Sequence, residues 1–284
     1  MKKLFLLLFT TLIMSLVISC VNNPTTSDKI KVAVSIVPES AFVEAIAGDL
    51  VEVVTVIPPG YSPGNYEPSS QFMEDLSNAS VYFAIGVAAE DATIIPFLED
   101  DILIIHLDEI VALTYQERMF SGESRDPHIW LSIKRVIVMV NAIANALVSL
   151  DSGNEAIYLA NASAYIASLQ SVDSLLVSAF SSITMNKFIV FHPAYGYFAD
   201  DYGLDMIAVE EDGKEATASH LTDVIDIANA NDIHTIFYQA EIDSSQVEAF
   251  AEEINAVMVE LDPLAYDYLT NIITLSNLIL EALR

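Results

Sequence analysis

Residues 154–182 read NEAIYLANASAYIASLQSVDSLLVSAFSS, and no proline or glycine interrupts them. Ile157, Ala160, Ala164, Leu169, Leu176 and Phe180 recur near one stripe, the spacing of an amphipathic helix. A helix of about 29 residues would span roughly 43 Å at 1.5 Å per residue. That is long for a globular protein, and it reads as a rigid backbone joining two lobes rather than as a flexible linker. The Asp151-Ser152-Gly153 break before it separates it from another helical pattern over residues 133–150.

On both sides of this helix strands alternate with helices. Before it, residues 30–37 form a β-branched run that Pro38 ends, residues 39–47 have helical spacing, and Gly48-Asp49 stops them. Strand patterns follow at residues 51–57, 81–85 and 102–106, with a loop dense in breakers over 58–65 and a helix over 71–78. After it, strands are expected at 187–191, 206–209, 235–238 and 257–261, and helices at 220–229, 245–255 and 266–283. Such alternation predicts an α/β fold with mainly parallel sheets and crossover helices. The expected organisation is a first lobe over 30–153, a bridging helix over 154–184 and a second lobe over 185–284.

The first residues stand apart. Lys2 and Lys3 precede an apolar run over residues 4–18, and Ser19 and Cys20 close it. This is the pattern of a secretory signal over residues 1–19. The run is shorter than the roughly 20 apolar residues of a spanning helix. Cys20 is the only cysteine, and Val17-Ile18-Ser19-Cys20 resembles a bacterial lipoprotein processing site. In that reading Cys20 carries acyl chains, which together anchor the chain to a membrane. Residues 20–29 are then a lipidated polar tether. No other cysteine is available as a thiolate, so any metal would be held by nitrogen and oxygen. The 40 acidic residues against 11 basic ones argue against nucleic acid as a partner. They would concentrate cations near the surface.

Five histidines are present, and their positions separate them. His128 sits in Arg125-Asp126-Pro127-His128-Ile129-Trp130, beside the only tryptophan. His192 directly follows one expected strand, and Asp262 follows another in the same way. Ligands of open α/β sheets gather at the carboxyl ends of strands. Two imidazoles and a carboxylate suit zinc, or manganese with further oxygen donors. Each position also has a plain structural reading, since a polar residue before proline often serves only a turn or a cap. His106, His220 and His234 are expected to be structural. Neither a nucleophile elbow nor a phosphate loop or dinucleotide glycine pattern occurs. Binding is therefore expected rather than catalysis.

At these residues the chain resembles the zinc- and manganese-type substrate-binding lipoproteins of ABC importers. The resemblance runs through Val34-Ser35-Ile36-Val37-Pro38, Ile46-Ala47-Gly48-Asp49, Pro58-Pro59-Gly60 with Tyr66-Glu67-Pro68, and Asp126-Pro127-His128-Ile129-Trp130-Leu131. It continues through His192 with Tyr197-Phe198, Tyr202-Gly203-Leu204, Gly213-Lys214-Glu215 and Leu261-Asp262-Pro263-Leu264. The ordered set, more than any single motif, carries it. It implies two lobes bridged by one long helix, a metal cleft between them, and only modest local movement on metal capture. It maps ligation onto His128 from the first lobe and onto His192 and Asp262 from the second. Histidine at the position of His192 is more typical of zinc receptors than of manganese receptors. It further implies an extracytoplasmic, membrane-anchored monomer that passes its ion to an importer permease.

One departure bears on the site. The family pattern before Tyr66-Glu67-Pro68 ends in a ligating histidine, and here Gly64 stands in that place. Three protein ligands and a water still make a tetrahedral zinc site. Asn65 and Glu67 are further candidates for the missing donor. The alternative is a receptor on the same scaffold whose metal site is altered or lost and which binds another ligand or a surface partner, as an adhesin would.

Overall fold

A computed structural model describes residues 29–120, 124–242 and 244–284. The expected signal, Cys20 and nearly all of the tether lie outside the described residues. The chain builds the same four-stranded parallel sheet twice. In the first lobe β1 (Ile30–Val34), β2 (Val51–Thr55), β3 (Val81–Ala84) and β4 (Leu103–His106) lie in the order β2-β1-β3-β4. In the second, β5 (Lys187–Val190), β6 (Asp205–Ala208), β7 (Thr235–Tyr238) and β8 (Val257–Glu260) lie in the order β6-β5-β7-β8. Each chain path therefore steps one way from the first strand and then returns to its other side. The crevice at the strands' carboxyl ends, where that reversal occurs, is the place such sheets bind ligands.

The helices of the first lobe are α1 (Val37–Ala47), α2 (Ser70–Leu76), α3 (Leu107–Ala112) and α4 (Ile133–Leu150). The bridge is α5 (Glu155–Phe180), and the second lobe adds α6 (Gly196–Tyr202), α7 (Ala218–Ala230), α8 (Ser244–Glu253) and α9 (Tyr268–Ala282). The bridging helix has 26 residues, about 39 Å at 1.5 Å per residue. Its buried stripe is Tyr158, Ala162, Leu169, Val172, Leu176 and Phe180. Ile157, Ala160 and Ala164, which the sequence pattern placed on that stripe, are exposed. The stripe starts at Tyr158 and Ala162 instead, and the Tyr158 OH donates to the Asp151 carboxylate at 2.8 Å, which also accepts from Asn154 Nδ2 at 2.6 Å beside the 3₁₀ turn Ser152–Asn154.

Both lobes share apolar packing. One buried cluster contains Val32 and Phe83 of the first sheet, Leu169 and Phe180 of the bridge, and Phe188, Phe198 and Tyr268 of the second lobe. Truncating a fully buried leucine such as Leu169 to alanine costs about 2–5 kcal/mol. A second cluster, including Ile189, Ile236, Val224 and Phe250, fills the space between the second sheet and α7 and α8. Polar contacts also cross between lobes. Trp130 Nε1 donates to Pro263 O at 2.8 Å, Tyr268 OH donates to Trp130 O at 2.9 Å, and Tyr266 OH donates to Glu44.

The first strand ends sooner than its pattern predicts, and the first helix begins earlier. The N–H groups of Ser35 and Ile36 both turn to Glu39 Oε2, at 3.0 Å each, instead of continuing the strand. Pro38 then lies inside the first turn of α1, where its missing N–H is no loss. Glu39 is fully buried, and Glu90, nearly so, accepts from the N–H groups of Ile85, Gly86 and Val87 after β3. Ser35 joins the two by donating to Glu90, with Tyr82 OH 2.6 Å from its hydroxyl. Burial first, and then the Glu90 charge, push the Glu39 carboxyl well above its ordinary 4.5. Burial likewise raises Glu90.

The folded chain therefore holds these protons more tightly than the unfolded chain. Their stabilising contribution is complete below the ordinary carboxylate range and is lost as pH rises through the raised values. Replacing Glu39 by glutamine, a neutral mimic that keeps an acceptor, should flatten the fall in stability with rising pH. Urea unfolding at about pH 5 and about pH 8 reads this. A stability difference from wild type that is the same at both pH values would contradict it.

Candidate metal centre

His128 lies in the segment that enters the 3₁₀ turn Ile129–Leu131. Asp126, which has no exposed surface, holds it from two sides. Asp126 Oδ1 accepts the His128 backbone N–H at 3.0 Å and faces the ring Nδ1 at 2.8 Å. With its proton on Nδ1, the ring presents Nε2 as a free lone pair, the arrangement that outer carboxylates impose on metal-binding histidines. Burial, the largest influence, lowers the His128 pKa below 6.5 despite the Asp126 hydrogen bond. The ring is thus in the uncharged form that a metal requires at neutral pH.

Asp126 is itself fastened to the second lobe. Arg118 Nε lies 3.4 Å from Asp126 Oδ2, and Arg118 Nη1 bonds both oxygens of Asp200 on α6, at 2.8 and 2.9 Å. Tyr197 OH donates to Asp126 O at 3.1 Å and accepts from Arg118 N at 2.9 Å. His128 is contributed by the first half of the chain but is held against the second lobe.

His192 follows β5 and is set in the same manner. Its Nδ1 lies 2.6 Å from Glu210 Oε2, which again leaves Nε2 for a ligand. Glu210 is in place because the pairing of β5 and β6 runs on past both strands, with Glu210 N donating to Phe191 O at 2.9 Å. Gly213 packs over the ring with φ 73°, and a Cβ there would come within 3.1 Å of His192 Cε1. A larger residue would be strained twice, by its backbone and by this approach. The two imidazole rings meet edge to face, at 5.3 Å between centroids and 77° between planes.

These rings line a cavity of about 330 Å³ between the lobes, together with Gly64, Trp130, Gln239 and Glu241. Gly64 is at the cavity wall, and among the described residues a Cβ there would meet only Ser62 Oγ, at 3.5 Å. Asn65 and Glu67 are exposed, and neither lines the cavity. Asp262 follows β8 with its side chain exposed, and its Oδ1 accepts from Leu264 N at 2.8 Å. Its neighbours Pro263 and Leu264 form the wall. Its charge acts on Tyr195 and Glu241 from close by. The structure thus brings His128 and His192 together and leaves Asp262 at the margin. Among the described residues no three His, Cys, Asp or Glu side chains already surround one point.

The other histidines lie elsewhere. His106 ends β4 near Asp108, His220 Nε2 is 2.9 Å from Ala208 O, and His234 is paired with Asp232 at 3.0 Å. Glu241 was missed by the sequence reading. It lies three residues beyond β7, so it does not directly follow its strand as His192 and Asp262 follow theirs in the sequence pattern.

A family profile described as "Zinc-uptake complex component A periplasmic" matches residues 32–282. The chain belongs to this ZnuA family. A ZnuA deletion mutant solved with zinc bound is similar at 34% identity and a TM-score of 0.84, over 90% of this chain and 98% of that one. The iron ABC transporter substrate-binding lipoprotein MtsA of Streptococcus pyogenes is 27% identical, over 89% of this chain and 86% of its own. The manganese-binding lipoprotein MntA of Halalkalibacterium halodurans is 28% identical, over 71% and 68%. As a ZnuA-family member the chain is a metal-binding receptor component of an ABC transporter and not an enzyme.

The carboxylates behind the two rings should tune binding without touching the ion. Asp126→Asn or Glu210→Gln should weaken zinc binding about 10–100-fold while leaving the fold intact. Competition titration with a chromophoric chelator, alongside circular dichroism, measures both. Affinities within twofold of wild type would show that these carboxylates do not orient the rings.

Proposed function

We propose that this protein captures one divalent transition-metal ion outside the cytoplasm, zinc by preference and manganese second, and delivers it to the permease of an ABC importer. The observation that carries the reading is the pair of imidazoles across the cleft, each with Nδ1 occupied by a carboxylate and Nε2 left for an ion. His128, His192 and Asp262 are the proposed protein ligands. Two neutral nitrogen donors favour zinc over the harder manganese ion. Relatives named for zinc, manganese and iron support a divalent metal as cargo.

Relatives named as lipoproteins support Cys20 as the acylated residue, with the chain tethered to a membrane by residues 20–29. The lobes share apolar packing and several polar cross-links, so capture proceeds by local shifts of loops around the cleft rather than by wide closure. Release is favoured as pH falls, because protons compete for the ring nitrogens.

Calorimetry on metal-stripped protein should find one zinc ion bound per chain. His128→Ala and His192→Ala should each weaken binding by at least about a hundredfold, beyond the range for loss of an outer partner. Failure of the intact protein to bind zinc, manganese or iron would contradict the reading.

A further inference from the structure

In the second sheet the path reverses between β5 and β7, which are paired neighbours. The carboxyl end of β5 continues into His192, and that of β7 continues through Gln239 to Glu241. His192 and Glu241 therefore flank the switch point of this sheet, the position where open α/β sheets bind ligands. Asp262 extends from β8, one strand farther out.

Glu241 faces the same cavity as the two imidazoles. Its Oε2 is buried and, among the described residues, has no hydrogen-bond partner. Two other groups around it share this condition: Gln239 Nε2, also in the cavity wall, and Tyr195 OH. A buried carboxylate oxygen without a partner is costly, and a bound cation is one way its bonding is completed. The largest influences on Glu241 agree with that. Burial raises its pKa most; a hydrogen bond from its own backbone N–H lowers it, the charges of Asp262 and Glu260 raise it, and His192 lowers it. A divalent cation placed between Glu241, Asp262 and His192 would relieve the repulsion and satisfy the oxygen together.

Across the cavity, Gly64 supplies no side chain. We propose that Glu241 is the donor that replaces a side chain at position 64, so that the captured ion is held by ring nitrogens of His128 and His192 and by oxygens of Asp262 and Glu241. This rests on the reading of the protein as a metal receptor and specifies its coordination. Three of the four donors then come from the second lobe, and the fourth, His128, is already fastened to it through Asp126 and Arg118. Since these side chains do not yet surround one point, capture includes drawing Glu241 and Asp262 inward. Two carboxylates would neutralise a divalent charge. The nitrogen–oxygen set is harder than one with three imidazoles, which moves selectivity toward manganese and iron relative to a three-histidine site.

The test uses metal-stripped protein, zinc and manganese chlorides in competition titrations, and cobalt(II) as a spectroscopic probe. Glu241→Gln should weaken zinc binding by about a hundredfold, and it should weaken the visible cobalt bands as water replaces a protein donor. Gly64→His in the Glu241→Gln background should recover most of the lost zinc affinity, because the cavity has room for the ring. It should not recover manganese affinity to the same degree. If wild type binds and Glu241→Gln matches it in affinity and cobalt spectrum, Glu241 is not a donor and the receptor reading stands without it. If wild type binds no metal, the receptor reading fails and this inference falls with it.

Discussion

The buried Asp126 carboxylate is the constraint on which the site depends. One of its oxygens fixes both the backbone and the ring of His128, and the other faces Arg118, which reaches across to Asp200 of the second lobe. A buried carboxylate persists only where such partners surround it. Here they set the imidazole tautomer and also bind the two halves of the chain at the edge of the cleft. With His128 held in this way, its ring lies 5.3 Å from that of His192, which Glu210 orients from the other side.

The twin sheets explain why chemistry collects where it does. Each has a reversal between its first and third strands, and the carboxyl ends of both reversals face the same cleft. In the first lobe the reversal is occupied by Glu39, Glu90, Ser35 and Tyr82, which satisfy the ends of β1 and β3 internally. In the second it is open, with His192 and Glu241 facing a cavity. One switch point has become structural, and the other is free to bind. The long helix and the core it shares with both sheets join the two lobes on either side of the cleft.

Much of this was legible in the sequence. Alternating strands and helices gave the two parallel sheets, and the unbroken stretch at residues 154–182 gave the bridge, because strong periodicity reports burial directly. The stripe on that helix was misread at its start because Tyr158, whose hydroxyl lets it read as polar, is the buried residue there and the apolar Ile157 is exposed. The early start of α1 was hidden by Pro38, which reads as a breaker but serves in a first turn. His128 and His192 stood out by position and by resemblance. Glu241 did not, since its significance comes from strand order: only the pairing of β7 beside β5 brings it next to His192. Asp126 stood within a motif of the family, but its role and that of Glu210 were not legible, for each is a hydrogen bond to a ring and not a spacing.

The central claim is that one metal ion is captured between the rings of His128 and His192. Anomalous scattering at the zinc edge, from crystals grown with zinc, tests it most directly. The account predicts a single strong peak about 2.0–2.1 Å from Nε2 of both rings. A peak that contacts only one of them, or that lies outside the cleft, would contradict it.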